Sequence, residues 1–106
     1  MEYSAIEIHE MAKQEAIMYA SEWEQEHGEM AYCGFAWVTI FDGRSKFTKE
    51  LVKAGVARKS WDGTYTIWNP SEHPTQSMDT KEAGAEAYAR VLKAFGVKAY
   101  AQSRAD

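Results

Sequence analysis

The chain has 106 residues, of which 45% are hydrophobic, 26% charged and 13% aromatic, and its formal net charge is −4. These proportions are typical of one globular domain over residues 1–106, and they exclude a multidomain enzyme and a low-complexity chain. Cys33 is the only cysteine, which excludes an internal disulfide framework.

The first predicted element is a helix over residues 4–27. Ser4 followed by Glu7 is a capping-box pattern, and Gly28 supplies a residue that tolerates positive φ at the helix end. Apolar side chains recur at helical spacing and predict one buried stripe, made of Ile8, Met11, Ala12, Ala16, Tyr19 and Trp23.

The second element is a strand over residues 32–41, which is apolar at both alternating sets of positions. This pattern predicts a central strand that is covered on both faces. Cys33 is therefore expected to be buried and unreactive.

A short helix follows over residues 46–54, with Ser45 as its N-cap. Residues 56–61 and 64–68 flank Asp-Gly at positions 62 and 63, which is a strong two-residue hairpin signal.

The loop over residues 69–78 contains both prolines of the chain. Asp79 is expected to cap a final helix, because Glu82 follows at capping-box spacing, and Gly96 is expected to end that helix. Residues 97–103 alternate in polarity and predict a last strand at the edge of the sheet.

This order is one helix followed by β-α-β-β-α-β, which predicts an α+β fold. Two β-α-β halves in sequence favour a ferredoxin-like, antiparallel four-stranded sheet with helices packed on it. The main alternative is another antiparallel α+β sheet with its helices on one face.

Three segments carry a resemblance to a known group of proteins: EMAYCGFAWVTI (29–40), IWNPSEHPTQSMDTKEAGAEAYARVL (67–92) and AYAQSRAD (99–106). They resemble small, uncharacterised proteins of tailed bacteriophages, prophages and environmental viral sequences, over nearly the whole chain. That family has no established activity, cofactor or catalytic residue, so none is carried over. The resemblance implies an origin in a phage or prophage and work inside a bacterial host.

The charges are unevenly distributed along the chain. Residues 1–30 contain eight Glu against one Lys, whereas residues 44–59 contain six basic residues against one Glu. Such asymmetry is typical of self-association, of a charged partner, or of two elements that neutralise each other in the fold.

The loop before the last helix is a candidate for specific contacts, because loops carry function more often than cores do. Its alternative interpretation is a rigid crossover held by two prolines and side-chain turns. The candidate interaction residues are Asn69, Glu72, His73, Gln76, Ser77 and Asp79.

A second candidate site is a nucleic-acid patch that combines basic and aromatic residues: Arg44, Lys46, Lys49, Lys53, Arg58, Lys59, Trp61 and Trp68. Ferredoxin-like RNA-binding modules stack bases on aromatic side chains of the two central strands. The corresponding positions here are expected to be Phe35 and Trp37 with Tyr65 or Trp68. If the first helix covered that face of the sheet, the aromatic side chains would be buried.

The chain contains no Walker, G-x-S-x-G or dinucleotide-binding glycine motif, and its three histidines are isolated. We therefore expect a non-enzymatic protein without cofactor or metal. The sequence favours a cytoplasmic accessory protein that binds a host or phage protein, or a second copy of itself through the edge strand, and no membrane. The alternative function is binding of single-stranded nucleic acid.

Overall fold

The computed structural model describes residues 3–28, 33–72 and 77–105. These ranges contain the following elements: α1 (Ala5–His27), β1 (Gly34–Ile40), α2 (Lys46–Lys53), β2 (Arg58–Lys59), β3 (Tyr65–Trp68), α3 (Met78–Ala94) and β4 (Ala99–Ala105). The predicted α+β class is confirmed. No helix within the described ranges is long and apolar enough to cross a membrane.

The helix starts follow from local capping. The Ser4 and Glu7 side chains form the predicted capping box at α1, and the Ser45 hydroxyl accepts from Thr48 N–H at α2. For α3 the predicted cap is wrong. Ser77 rather than Asp79 is the N-cap, because its hydroxyl accepts from the backbone N–H three residues later. Asp79 lies in the first helical turn, where a carboxylate is favourable.

Two of the predicted strands begin later than expected, for one shared reason. The backbone N–H groups of Val56 and Val97 donate to Leu51 O at 2.9 Å and to Leu92 O at 3.0 Å, respectively. These residues close the ends of α2 and α3, so they do not take part in the sheet.

The sheet has the strand order β2-β3-β1-β4, and each neighbouring pair is antiparallel. The predicted central position of β1 and the predicted edge position of β4 are confirmed. Trp37 of β1 lies opposite Trp68 of β3 on one side and Gln102 of β4 on the other. Because directly opposite residues point to the same face, this register sets the composition of each face of the sheet.

One face of the sheet packs against the helices. The shared core contains residues of all three described helices and alternate residues of the strands, among them Ile8, Ala12, Leu51, Tyr88, Leu92, Ala36, Val38, Ile40, Ile67 and Ala99. The other alternate set of β1, which begins with Phe35 and Trp37, has no member in that core. The prediction that β1 is covered on both faces is therefore wrong.

The first helix packs against α3 and α2 rather than on the second face of the sheet. Its buried stripe is mostly alanine, and it approaches α3 closely at Gly84, where an added Cβ would lie 3.2 Å from the carbonyl oxygen of Ala16 and 2.8 Å from Ser71 Cβ. Small side chains permit this approach. Tyr19, predicted to be buried, is exposed, and Arg90 lies over its ring.

Cys33 is exposed, which corrects the prediction that it is buried. The strand was predicted over residues 32–41, but β1 begins at Gly34, and Cys33 just before it forms an isolated bridge with Ser77.

A polar contact fixes α1 against α3 at the margin of the core. His9 Nδ1 lies 2.7 Å from the hydroxyl of Tyr88, which is fully buried. Burial lowers the pKa of His9, and Lys13 acts in the same direction, whereas Glu10 and Glu72 oppose it. Burial also raises the pKa of Tyr88.

The burial of His9 predicts that the free energy of unfolding decreases in mild acid. Below the ordinary His9 pKa of 6.5, the unfolded chain takes up a proton that the folded protein does not bind. The contribution of neutral His9 to the free energy of unfolding is therefore fully present above pH 6.5. It is lost as the pH falls through the lowered pKa of His9 in the folded protein. Urea unfolding between pH 8 and pH 5 measures the effect. His9→Gln is expected to remove this part of the pH dependence, and His27→Gln to retain it.

Candidate functional site

The face of the sheet that lacks a helix in the described structure, here called the open face, carries a continuous set of side chains. Strand register places the following residues on it: Phe35, Trp37 and Thr39 of β1, Arg58 of β2, Thr66 and Trp68 of β3, and Tyr100, Gln102 and Arg104 of β4. Aromatic side chains occupy the middle of this surface, on the two central strands.

The centre of the open face is a pair of tryptophans. The rings of Trp37 and Trp68 lie 5.5 Å apart between centroids with an angle of 9° between their planes. Phe35 extends the row, with its centroid 5.5 Å from that of Trp68. Trp68 is 56% exposed, so a flat ligand has access to its ring.

Hydrogen bonds hold Trp37 in place. Its indole Nε1 donates to Gln102 Oε1 at 3.1 Å, and the Thr39 hydroxyl donates to the same oxygen. Because Thr39 is buried among its neighbours, this network joins β1 to β4 and fixes the orientation of the indole. An aromatic surface with a fixed orientation loses little side-chain entropy when a ligand stacks on it.

Cationic groups flank the aromatic row. Arg58 and Arg104 are exposed on the open face. Lys93 Nζ lies 4.5 Å from the ring centroid of Tyr100, and Lys81 Nζ lies 5.5 Å from that of Phe35. None of the strand positions described on this face is acidic. The face is therefore cationic although the whole chain is anionic.

The predicted nucleic-acid patch is divided between two surfaces. Its six basic residues are all exposed: Arg44, Lys46, Lys49, Lys53, Arg58 and Lys59. Lys46, Lys49 and Lys53 belong to α2 in the helix layer. Thr48 and Leu51 of that helix are buried on the side of the sheet opposite the aromatic row. Arg58 and Trp68 come together on the open face. Tyr65 packs against the core and does not contribute.

The acidic residues of α1 and the basic residues 44–59 are not joined by direct salt bridges in the described structure. The one salt bridge found there, at 3.3 Å, connects Lys13 of α1 to Glu72.

The predicted interaction loop is largely engaged in structure where it is described. Asn69 N–H donates to Ala36 O at 3.0 Å, and Glu72 N–H donates to Asn69 O at 2.8 Å. Both residues have positive φ, 43° and 55°. Ser77 is buried as the N-cap of α3. His73 and Gln76 lie outside the described residues.

Two concavities border the aromatic row. A groove of 310 Å³ runs between the β2–β3 turn and the sheet, and Trp61 and Trp68 are among its lining residues. A second concavity of 640 Å³ lies at the β2–β3 edge, where Arg58, Lys59 and His9 contribute to its lining. Trp68 lines both concavities, so its side chain lies between the groove and the basic residues Arg58 and Lys59.

Sequence reasoning missed the contribution of β4. Tyr100, Gln102 and Arg104 lie on the open face beside the tryptophans. Their i, i+2 spacing is visible in the sequence, but only the pairing register shows which face they share.

Comparisons with protein-family models, with curated proteins and with solved structures give no significant match to this chain. The resemblance to small phage proteins therefore stays a prediction. Among the described residues, no group of three or more His, Cys, Asp or Glu side chains lies close enough together to hold a metal ion.

Proposed function

We propose that this protein binds single-stranded nucleic acid on the open face of its sheet. The observation that carries the proposal is the parallel pair of Trp37 and Trp68 on the two central strands. Unpaired bases stack on such aromatic surfaces without regard to sequence, because every base has a π-face. Double-stranded nucleic acid does not present its base faces in this way.

We further propose that the fold is ferredoxin-like. The β-α-β-β-α-β order after α1, the wholly antiparallel pairing and the single helix layer support it. Modules of that fold that bind RNA use the two central strands for stacking, which are β1 and β3 here.

The charge distribution supports an anionic ligand. Arg58 and Arg104 stand at opposite edges of the sheet, on β2 and β4, with the aromatic row between them. A backbone that crosses the row would meet a guanidinium group on each side. The lysines at Phe35 and Tyr100 add positive charge at the rim.

The second candidate function is a non-catalytic interaction with a phage or host protein, or with a second copy of this chain, in the cytoplasm of a bacterial host. The outer edge of β4, which pairs only with β1 in the described structure, favours it. Exposed strand edges readily add a further strand.

Fluorescence anisotropy of labelled single-stranded DNA and RNA tests the proposal. We expect saturable binding that weakens with salt, since each phosphate contact to a single strand contributes roughly −0.7 to the slope of log K against log salt. Arg58→Gln and Arg104→Gln are each expected to reduce the magnitude of that slope by about 0.7.

Lys49→Gln and Lys53→Gln are the matched controls, because they remove the same charge from α2 in the helix layer. If these variants reduce the slope and the arginine variants do not, the open face is not the binding surface. If the wild-type protein binds neither DNA nor RNA at low salt, the protein-partner function is favoured instead, and light scattering then reports whether the partner is a second copy.

A further inference from the structure

The turn between β2 and β3 presents one aromatic side chain beside the open face. Trp61 is 98% exposed, the largest exposure among the exposed large hydrophobic side chains of the described structure. The turn that carries it is well ordered by hydrogen bonds. Ser60 N–H donates to Thr64 O at 2.7 Å, and Gly63 N–H donates to Ser60 O at 3.0 Å.

Side-chain contacts strengthen the same turn. The backbone N–H and the hydroxyl of Thr64 donate to Asp62 Oδ1 at 3.0 and 2.7 Å. These bonds lower the pKa of Asp62. The Ser60 and Thr66 hydroxyls lie 2.6 Å apart and connect the turn to β3. The backbone that carries Trp61 is thus fixed beside the sheet, whereas its indole is left exposed to solvent.

Between this turn and the sheet lies the groove of 310 Å³. Its size is at the lower end of the ~300–1,000 Å³ range of small-ligand sites. Trp61 lines it on the turn side, and Trp37 and Trp68 line it on the sheet side. Hydroxyl and amide groups complete the lining, from Thr39, Thr66 and Gln102. Aromatic walls with a few polar groups between them suit a flat, polar-edged ring.

We propose that Trp61 is a third stacking residue, which encloses one base of a bound strand between the β2–β3 turn and the tryptophans of the sheet. This inference rests on the proposed function, and it assigns a site for an individual unpaired base within it. A base in this groove must leave the stack of its neighbours, so the site favours an unpaired base over a base pair, which must first be opened. The large apolar exposure of Trp61 in the free protein is removed when the base stacks on it.

The polar groups that line the groove also determine which hydrogen bonds a ligand can form there. Gln102 Oε1 already accepts hydrogen bonds from Trp37 and Thr39, which leaves the amide N–H groups of Gln102 to donate. A carbonyl oxygen on the edge of the enclosed base would accept from them. Asp62 lies on the turn side of the same groove and repels phosphate, so the base rather than the backbone enters it.

The test is a double-mutant cycle between Trp61→Ala and single abasic positions in a labelled thymidine oligonucleotide. We expect Trp61→Ala to weaken binding roughly tenfold or more, and Trp61→Phe to restore most of the affinity. At one position of the strand, an abasic site is expected to weaken binding to the wild-type protein but to have little further effect on Trp61→Ala. Tyr19→Ala, an exposed aromatic of α1, is the control and should change nothing.

The outcomes separate the two proposals. If Trp68→Ala weakens binding and Trp61→Ala does not, the base site at the turn is wrong while the open face remains the binding surface. If Trp61→Ala weakens binding of every abasic strand to the same extent, Trp61 does not enclose an individual base, and the inference is wrong. If no variant and no wild-type protein binds single strands, both fail together. Trp61 makes no packing contact to lose, so its variants are expected to fold.

Discussion

Alanine in place of Trp68 is expected to weaken binding of single-stranded nucleic acid by roughly tenfold to a hundredfold. Base–aromatic stacking contributes about 1–3 kcal/mol per base, and Trp68 is the most exposed ring of the central pair. Trp37→Ala is expected to have an effect of the same order, because it removes the neighbouring ring and the hydrogen bond to Gln102. Anisotropy titrations at one fixed salt concentration measure both.

The chain offers a matched control for these variants. Trp23 stacks on His27 in α1, with 3.8 Å between ring centroids, and lies in the helix layer. Trp23→Ala removes the same side chain and should leave the affinity unchanged. Trp68→Phe keeps a ring and should bind more tightly than Trp68→Ala. Equal affinities of Trp23→Ala and Trp68→Ala, with both variants folded by circular dichroism, would show that the tryptophan pair is not a stacking surface.

Tyr88→Ala is expected to remove much of the stability of the fold. Tyr88 is the largest fully buried side chain of the described structure, and it packs among residues of the shared core. Truncation of a buried aromatic residue to alanine costs about 3–5 kcal/mol, because it leaves a cavity that the neighbours fill only in part. That is a large share of the ~5–15 kcal/mol that separates folded from unfolded domains. Urea unfolding at neutral pH measures the change.

Tyr88→Phe distinguishes packing from hydrogen bonding. It keeps the ring and removes the hydroxyl that contacts His9 Nδ1, so its cost is expected to be about 0.5–1.5 kcal/mol, rising if His9 stays buried without a partner. If Tyr88→Ala cost no more than Tyr88→Phe, the side chain would not carry the packing of the core that its burial indicates.

Acidic and basic side chains lie on opposite sides of the molecule, and this arrangement would orient the protein toward an anionic strand. The carboxylates of α1 lie in the helix layer, and the open face carries Arg58 and Arg104. A molecule with opposite charges on two sides orients itself in the field of an anionic polymer. Such orientation would bring the tryptophan pair toward the strand and the acidic helix away from it.

Local rules explain why much of the fold was predictable. The capping box at Ser4 and the cap at Ser45 are contacts between residues three apart, so the sequence shows them directly. The chain does reverse at Asp62 and Gly63, but the predicted two-residue hairpin is wrong. Lys59 pairs with Tyr65, so five residues connect β2 to β3, and hydrogen bonds among residues 60–64 close this wider turn. The third helix shows the limit of such rules, because Ser77 and Asp79 both carry capping side chains, and the backbone uses the first.

The errors concern contacts between distant residues. Tyr19 and Cys33 were expected to be buried because they continue an apolar pattern, yet both are exposed. Periodicity shows which side chains share a face but not which face another element covers. The predicted interaction loop over residues 69–78 stays a hypothesis. Its described residues 69–72 form a turn against β1 and α1, as its alternative interpretation of a rigid crossover expects.

By itself, the sequence determined the helices, the α+β class, the place of the chain reversal between β2 and β3, and the concentration of tryptophan and tyrosine along the strands, since each follows from spacing or from short-range hydrogen bonds. Only the tertiary structure decided that α1 packs on α3, where alanines permit close approach, so that no described helix lies over Trp37 and Trp68. It also decided that Arg58 and Arg104 lie on the same face of the sheet as these tryptophans, whereas the lysines of α2 lie in the helix layer. The physical reason is that strand register and helix packing depend on contacts between residues far apart in the chain.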